Sequence, residues 1–368
     1  MTFKYKVLSI DGGGIRGIIP AMILAEIEQQ TGKRIHEMFD LIAGTSTGGI
    51  IALGLTMPSE QDSQQPKYQA KDLVQLYREE GKIIFRKNGQ HLSSLLHNLL
   101  QQTLSGFSLP KINIDDLLNP KYPPSGRDSV LTKYFGNTAI SEALTEVFIT
   151  SYDTELRLPV FFTSKTNEEV IKGRVFRKIC KGFTMKQAAM ATSAAPTFFE
   201  PYPVTTSHPT DNGYYSLIDG GVFANNPTSL AVMEGIVDAR KQGKDLRLQD
   251  ILVVSLGTGS LTRKYTYNQT KEWGLIGWIQ PIINILMDGT NESVSVQLEQ
   301  LLARSDNLSQ YYRFQGFLDQ GKGSDDMDVV TPENISRLET LAGDIIRNQN
   351  DELQALCQLL TTSQKVVT

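Results

Sequence analysis

The stretch KVLSIDGGGIRGIIPAMI, residues 6–23, joins an apolar run to a helical pattern through a glycine-rich loop. Gly12, Gly14 and Gly17 fit the spacing G-x-G-x-x-G, and an apolar strand followed by such a loop and a helix is the setting of a dinucleotide site. With 30 glycines in 368 residues, the spacing by itself is a weak signal. The same loop could surround a different anion, so the stretch leaves both interpretations open.

The composition is that of a globular, slightly acidic protein. The chain is 40% hydrophobic, which allows a large buried core, and its formal net charge is -4 at pH 7. This charge creates no general cationic field for a phosphate backbone, so a nucleic-acid polymer is not expected as a partner. Cys180 and Cys357 are expected to be buried thiols, since they supply neither a disulfide framework nor a metal-ligand cluster.

The start of the chain and its apolar runs predict a cytoplasmic protein. The first residues, MTFKYKVLSI, lead into a strand pattern without the regions of a secretory signal. The apolar run 275–287 is shorter than the roughly 18 residues that cross a bilayer, and it contains Gly277, Gln280 and Pro281. Any membrane contact is therefore expected to be peripheral.

Strand-like runs alternate with helical patterns, which predicts an α/β fold whose mostly parallel central sheet is flanked by helices. The predicted strands are 5–10, 39–43, 158–164, 215–218 and 251–256. The predicted helices are 18–30, 48–56, 71–81, 91–104, 185–191, 227–241, 291–303 and 332–347. Thr331, followed by Pro332 and Glu333, is a start signal for the last of these helices.

Four polar stretches are predicted to be surface loops, at residues 58–69, 119–128, 205–213 and 319–328. None of them has the length of an interdomain linker. A single domain over residues 5–360 is therefore the simplest division, and residues 361–368 are expected to fray.

The second predicted strand ends in a second glycine motif. Gly44, Ser46 and Gly48 form G-x-S-x-G between a strand and a helix, which is the setting of a nucleophile elbow. The sharp turn strains the backbone of Ser46 and exposes its hydroxyl, while the flanking glycines relieve crowding. The position at a helix N-terminus also favours negative charge. The alternative is a serine that only caps the helix.

A serine nucleophile needs a general base, and histidine is the usual one. The candidates are His36, His91, His97 and His208. Only His208 lies late enough for the residue order of α/β hydrolases, and it precedes the best acidic candidate.

Asp219 is the better candidate for the base. An apolar strand, 215–218, delivers it into the turn formed by Gly220 and Gly221. The carboxyl end of a strand faces the crevice where open α/β sheets bind their ligands. The alternative is an aspartate that only organises the turn.

These motifs together resemble the patatin-like phospholipases, serine lipid acyl hydrolases that use a Ser-Asp dyad. The resemblance rests on DGGGIRG (11–17), GTSTG (44–48) and DGG (219–221), and it extends to ATSAAPTFFEPY (191–202) and LVVSLGTGS (252–260). The segment KEWGLIGWIQPIINILMDG (271–289) is similar to the plant branch of the family.

The resemblance implies a three-layer α/β/α fold and a role for each matching residue. Ser46 becomes the nucleophile, Asp219 the proton acceptor, and the backbone of Gly12, Gly13 and Gly14 the oxyanion hole. The supporting motif residues are Asp11, Arg16, Gly17, Gly44, Gly48, Gly220 and Gly221. We expect Arg16 to hold a structural or rim position, with contact to a lipid phosphate as the alternative. No metal and no other cofactor is implied.

The implied substrate is a membrane glycerolipid or another fatty-acyl ester, cleaved in the manner of a phospholipase A, lysophospholipase or galactolipase. The same scaffold could transfer the acyl group to another alcohol, or bind lipid without hydrolysis as a storage or interaction module. A nucleotide-dependent oxidoreductase is a remote alternative that rests on the first glycine loop alone. Some bacterial members are activated by partners or cyclic nucleotides, and no part of this sequence maps such a site.

Two segments could meet the membrane surface. Trp273 and Trp278 lie in 271–287, and leucines recur at helical spacing in 91–104 beside Arg86 and Lys87. Each segment could equally be an amphipathic helix that faces the core.

Overall fold

The computed structural model describes residues 3–86, 119–165, 169–170, 177–179, 182–206, 213–261, 263–303, 309–318 and 326–362. The helices in these ranges are α1 (Ile18–Thr31), α2 (Ile35–Met38), α3 (Thr47–Thr56), α4 (Ala70–Ile84), α5 (Pro124–Phe135), α6 (Met185–Thr192), α7 (Gly221–Ala224), α8 (Thr228–Lys241), α9 (Tyr267–Thr270), α10 (Leu275–Leu301), α11 (Pro332–Asn348) and α12 (Asn350–Thr362). The strands are β1 (Tyr5–Ile10), β2 (Leu41–Gly44), β3 (Glu146–Asp153), β4 (Leu158–Thr163), β5 (Glu169–Val170), β6 (Arg177–Ile179), β7 (Tyr202–Thr205), β8 (Tyr214–Asp219), β9 (Ile251–Leu256), β10 (Ser260–Leu261), β11 (Tyr311–Phe314) and β12 (Phe317–Leu318).

Ten of these strands form one mixed sheet with a parallel centre. Strands β11, β9, β1, β2 and β3 follow one another in parallel, while β4 and β8 pair antiparallel with β3. Leu8 of β1 belongs to one buried apolar cluster and Val7 to another. Because successive side chains of a strand point to opposite faces, the two clusters lie on the two sides of the sheet. The predicted α/β class, with a mostly parallel sheet flanked by helices, is confirmed.

Several elements differ from the sequence prediction. Strand β3, helix α5 and helix α12 were not predicted, and α5 begins inside the loop predicted at 119–128. Its first residues, PSGR, resemble a turn, but a proline is well tolerated in the first turn of a helix because its missing N–H has no partner there anyway. The predicted helix 291–303 is the second half of α10, which continues through Pro281.

Several predicted features lie outside the residues that the structure describes, and others can be compared with it. The predicted helix 91–104, its two histidines, Lys87, His208, Cys180 and most of the loop 319–328 lie outside the described residues. Cys357 is buried, as predicted. Helix α12 runs to Thr362, two residues into the segment that was expected to fray. Within the ranges given above, no helix has both the length and the apolar character needed to cross a bilayer.

Gly48→Ala should destabilise the fold strongly. A Cβ at Gly48 would lie 2.1 Å from the carbonyl oxygen of Ile10, so the start of α3 could no longer pack against the end of β1. Because backbone must move to relieve this contact, we expect the free energy of unfolding to fall by about 3 kcal/mol or more, measured by urea denaturation. Gly289→Ala, on α10, is the control: its Cβ would meet no atom within 4 Å, so stability should be unchanged or rise by up to about 1 kcal/mol. Equal losses in the two variants would contradict this account.

Candidate active site

Two strands that end head to head form the centre of the candidate site. Both β2 and β8 pair along the same edge of β3, but β2 is parallel to it and β8 antiparallel. Gly44 lies beside Ile149 and Asp219 beside Ser151, so the carboxyl ends of the two strands meet at Thr150. Asp219 lies at the carboxyl end of its strand, as predicted, but this strand runs antiparallel to β3 and does not belong to the parallel centre of the sheet.

Ser46 lies directly beyond β2 in a strained turn. Its φ of 54° and ψ of -121° fall in a region that favours glycine, and such strain is typical of functional sites. The Ser46 N–H donates to Thr192 Oγ1 at 2.8 Å, which fixes the turn from the neighbouring helix α6. Helix α3 begins at the next residue. The strand, strained serine and helix have the geometry predicted for a nucleophile elbow.

The carboxyl group of Asp219 is buried beside this turn, with 1% of the residue exposed. Its Oδ1 accepts the Gly221 N–H at 2.7 Å, while Oδ2 accepts no hydrogen bond from the described residues. Burial raises the pKa of Asp219 to about 6, against opposing effects of the Ser46 hydroxyl, the Gly221 N–H and the Arg127 cation. The Ser46 hydroxyl is therefore close enough to the Asp219 carboxyl to lower its pKa. A carboxylate with this pKa is ionised at neutral pH and is a stronger base than an ordinary aspartate.

The first glycine loop passes against Ser46, and its amides differ in what they bind. A Cβ at Gly12 would lie 3.3 Å from Ser46 Cβ. The Gly12 N–H donates to the carbonyl oxygen of Asn225 at 3.0 Å, so it is not available to an oxyanion. The N–H groups of Gly13 and Gly14 donate to no acceptor in the part of the chain that the structure describes. Of the three glycines predicted to form an oxyanion hole, Gly13 and Gly14 thus have N–H groups left for that role in the described structure.

Two arginines hold this loop. Arg313 Nη2 donates to Asp11 at 2.6 Å, and Arg313 Nη1 donates to Ser255 Oγ at 2.8 Å. Burial raises the pKa of Asp11, and the Arg313 cation opposes that rise. Arg16 Nε donates to the carbonyl oxygen of Gly13 at 3.2 Å. Arg16 is 5% exposed and so takes the structural position that was expected, but not a place on the rim.

The remaining motif glycines lie where these elements join. Gly17 directly precedes α1, and Gly220 and Gly221 lead from β8 into α7. Of the histidines, His36 lies in the described ranges, is buried in α2, and does not line the cavity over Ser46. In the same ranges, no group of three or more histidine, cysteine or acidic side chains is arranged to hold a metal ion.

A mostly apolar cavity covers Ser46 and Asp219. Its walls are Gly14, Ile15, Thr47, Ile50, Leu76, Tyr77, Gly81, Ile84, Phe85, Arg127, Ser193, Ala195, Phe198, Phe199, Met287 and Met327. A mostly apolar space with a few polar groups at one place binds an apolar ligand and fixes the orientation of one polar group on it.

Five side chains of the site were not predicted: Thr192, Asn225, Thr258, Arg127 and Arg313. The first three lie in or beside stretches with a recognisable pattern, ATSAAPTFFEPY, DGGVFANNP and LVVSLGTGS, so the position in the motif could have drawn attention to them. Thr258 Oγ1, for example, donates to the carbonyl oxygen of Gly12 at 2.7 Å. The two arginines belong to no local pattern, and the fold alone brings them to the site.

The mixed sheet, the elbow and the apolar cavity have the general form of an α/β serine hydrolase. The family model described as Patatin-like phospholipase matches residues 8–232, and the chain belongs to that family. Patatin-like protein 2 of Oryza sativa subsp. indica is 32% identical, covering 94% of this chain and 84% of the relative. Patatin-like protein 1 of Arabidopsis thaliana is 31% identical, covering 93% and 81%. The resemblance to this family and to its plant members is confirmed, and membership supports a lipid acyl hydrolase in general terms.

The chain is also similar to a further potato protein and to two solved structures. A potato protein (Solanum tuberosum) named Probable inactive patatin-3-Kuras 1 is 31% identical, covering 84% of this chain and 78% of its own. Human GIVD cytosolic phospholipase A2 has a TM-score of 0.45 at 12% identity, covering 97% of this chain and 60% of its own. VipD from Legionella pneumophila has a TM-score of 0.42 at 14% identity, covering 98% and 67%.

Asp219→Asn should stabilise the folded protein at neutral and alkaline pH. Burial raises the carboxyl pKa from 3.8 to about 6, so folding favours the protonated form. The stability that this group contributes is therefore fully present below about pH 4 and is lost as the pH rises through about 6. Asparagine buries no charge, so at pH 8 we expect its free energy of unfolding to exceed that of the wild type by about 3 kcal/mol.

Urea denaturation at pH 8 and at pH 4 measures this difference. Asp62→Asn, in an exposed loop, is the control and should change stability at neither pH. A gain of the same size at both pH values would show that the Asp219 carboxyl has an ordinary pKa.

Proposed function

We propose that the protein cleaves carboxylic esters of membrane glycerolipids through a Ser46–Asp219 dyad, as a phospholipase A, lysophospholipase or galactolipase. The catalytic unit proposed is a single domain over residues 5–360 of a cytoplasmic protein. The observation that carries the proposal is the buried Asp219 carboxyl, one oxygen of which has no hydrogen-bond partner in the described structure, beside a strained serine in an apolar cavity. Family membership supports the class of substrate.

In the first half-reaction, Ser46 Oγ attacks the ester carbonyl carbon while its proton passes to Asp219. The carbonyl electron pair moves to the oxygen, and the N–H groups of Gly13 and Gly14 stabilise the resulting oxyanion. The intermediate then collapses, the bond to the alcohol oxygen breaks, and this oxygen takes the proton from Asp219. An acyl-Ser46 ester and a lysolipid or another alcohol result.

In the second half-reaction, water replaces the alcohol. Asp219 accepts one proton from water as the water oxygen attacks the acyl carbon, and a second oxyanion forms at the same place. When this intermediate collapses, the bond to Ser46 Oγ breaks and the proton returns to Oγ. The fatty acid leaves, and both side chains regain their starting states.

A lipid-binding module without hydrolysis is the second candidate. The name of one relative, Probable inactive patatin-3-Kuras 1, supports this candidate. The two candidates differ in whether Ser46 reacts.

Ser46→Ala should reduce hydrolysis of a short-chain nitrophenyl ester to the uncatalysed rate, because the acyl group then has no acceptor on the protein. Asp219→Asn should reduce kcat by about 10²- to 10⁴-fold through loss of the general base. Ser63→Ala, in an exposed loop, should retain full activity.

The pH profile of the wild type adds a second readout. With the pKa of Asp219 at about 6, kcat/KM should fall about tenfold for each pH unit below that value and be level above it. An inert wild type whose Ser46 also fails to react with a fluorophosphonate would favour the lipid-binding module.

The proposed membrane-facing surface is one side of α10. Ile282, Ile285 and Leu286 are 42%, 41% and 50% exposed, and their spacing places them on one face of the helix. Leu286 also lines a second, smaller cavity together with Met287 and Asp219. The exposed apolar face is therefore continuous with the site where the ester would react. No ionisable residue occurs between residues 275 and 287, so this surface can enter the edge of a bilayer without burying charge.

The double variant Ile282→Gln/Ile285→Gln should bind vesicles of a zwitterionic phospholipid less tightly, on the order of tenfold, because it removes apolar area from the membrane contact. Its hydrolysis of a soluble short-chain ester should be unchanged, because neither side chain lines the cavity over Ser46. Cosedimentation with the vesicles measures binding. Val296→Gln/Leu301→Gln, at exposed positions further along the same helix, is the control. Equal losses of binding in the two double variants would contradict a specific role for this face.

A further inference from the structure

Arg127 places a buried positive charge in the wall of the cavity that contains Ser46 and Asp219. It lies in the first turn of α5, is 1% exposed, and its guanidinium carbon is 4.2 Å from the centre of the Phe199 ring. Burying a cation costs free energy unless an anion compensates for the lost water. Yet Nε and Nη2 donate to no acceptor among the described residues.

One loop connects Arg127 to the backbone of Asp219. Arg127 Nη1 donates to the carbonyl oxygen of Ser193 and lies 3.4 Å from the Ser193 hydroxyl. The next residue, Ala194, accepts the N–H of Asp219 at 2.9 Å. Arg127 therefore fixes the loop that in turn fixes the position of Asp219.

The charges of Arg127 and Asp219 also act on each other directly. Both side chains line the same cavity, and Oδ2 of Asp219 is buried without a partner in the described structure, like Nε and Nη2 of Arg127. Burial raises the pKa of Asp219, and Arg127 is the charged side chain that opposes this rise. Burial also lowers the pKa of Arg127 to about 10, which Asp219 opposes. Because both groups are buried, each charge stabilises the ionised form of the other.

Other acidic groups have a weaker effect on Arg127. Tyr202, Glu200 and Asp128 each raise its pKa less than Asp219 does. The chief counter-charge of the buried guanidinium is therefore the carboxylate that would accept the proton of Ser46.

Resting on the proposed dyad, we propose that Arg127 is a positioning residue of the active site: it fixes the loop behind Asp219 and supplies the positive charge that keeps this carboxylate ionised. A protonated Asp219 could not accept the Ser46 proton. Arg127 makes no contact with the reacting atoms in this role and acts through Asp219.

The test is the pH dependence of the rate at which a short-chain fluorophosphonate labels Ser46, since this reaction uses the dyad without a lipid surface. In the wild type the rate should fall below about pH 6, the pKa of Asp219. In Arg127→Met the midpoint should rise by about one pH unit, which lowers the rate at pH 6 by about fivefold. Arg127→Lys retains the charge, so its midpoint should stay near that of the wild type.

Lys133→Met is the matched control. Lys133 lies on the same helix, and its side chain is 65% exposed. The variant therefore removes an equal charge, but one that is not among the groups that shift the pKa of Asp219. Its midpoint should not move.

An unchanged midpoint in Arg127→Met, with a lower rate at every pH, would overturn the electrostatic role and leave Arg127 as a structural residue. If Arg127→Met does not fold, as judged by circular dichroism, Arg127→Lys decides: a midpoint displaced by about one pH unit despite the retained charge would overturn the proposal. A folded wild type that is not labelled at Ser46 would overturn the dyad itself, a result distinct from both.

Discussion

The candidate site depends on one constraint of the sheet, the meeting of β2 and β8 end to end along β3. Strand β2 is parallel to β3 and β8 is antiparallel to it, and both end beside Thr150. The residues that follow each strand therefore lie in the same gap. Thr45 Oγ1 and Thr150 Oγ1 lie 2.7 Å apart, and Thr45 also donates to the carbonyl oxygen of Ala224 at 2.6 Å. The elbow and the turn after β8 are thereby tied to the same strand, so their separation is set by the sheet and not by flexible loops.

Groups that cost stability are concentrated at this gap. A serine in a backbone conformation suited to glycine, a buried carboxyl with a raised pKa and a buried guanidinium all oppose folding. The buried apolar strands around these groups offset this cost in stability. Strand β9 is buried along its whole length, and β1 is buried in all but its first residue. Large, well-packed sheets can retain such strained and charged groups, because the core over-determines their positions.

The sequence predicted the parts of the site that depend on local geometry. The glycines around Ser46 and the aspartate before Gly220 indicate sharp turns, because such turns need particular residue types at particular spacings. The apolar runs of β1 and β9 likewise predicted buried strands with their observed bounds. The antiparallel direction of β8 was beyond such reasoning, because its pairing with β3 joins residues more than 60 positions apart. The same holds for Arg127 and Arg313, whose roles arise only when distant elements pack together.

The first glycine loop could bind a dinucleotide or a different anion, and the hydrogen-bond acceptor of each backbone N–H distinguishes these two interpretations. A dinucleotide site would leave several amides at the start of the following helix free for pyrophosphate oxygens. Here the Gly12 N–H donates to Asn225, the Ile15 N–H to the carbonyl oxygen of Met327 at 2.9 Å, and the Arg16 N–H to that of Gly13 at 3.2 Å. Only Gly13 and Gly14, in the middle of the loop, keep N–H groups without an acceptor in the described structure. Two adjacent free donors, of which Gly14 lines the cavity over Ser46, suit the single oxygen that gains charge in the proposed reaction, whereas a pyrophosphate would need the amides that the fold has already used.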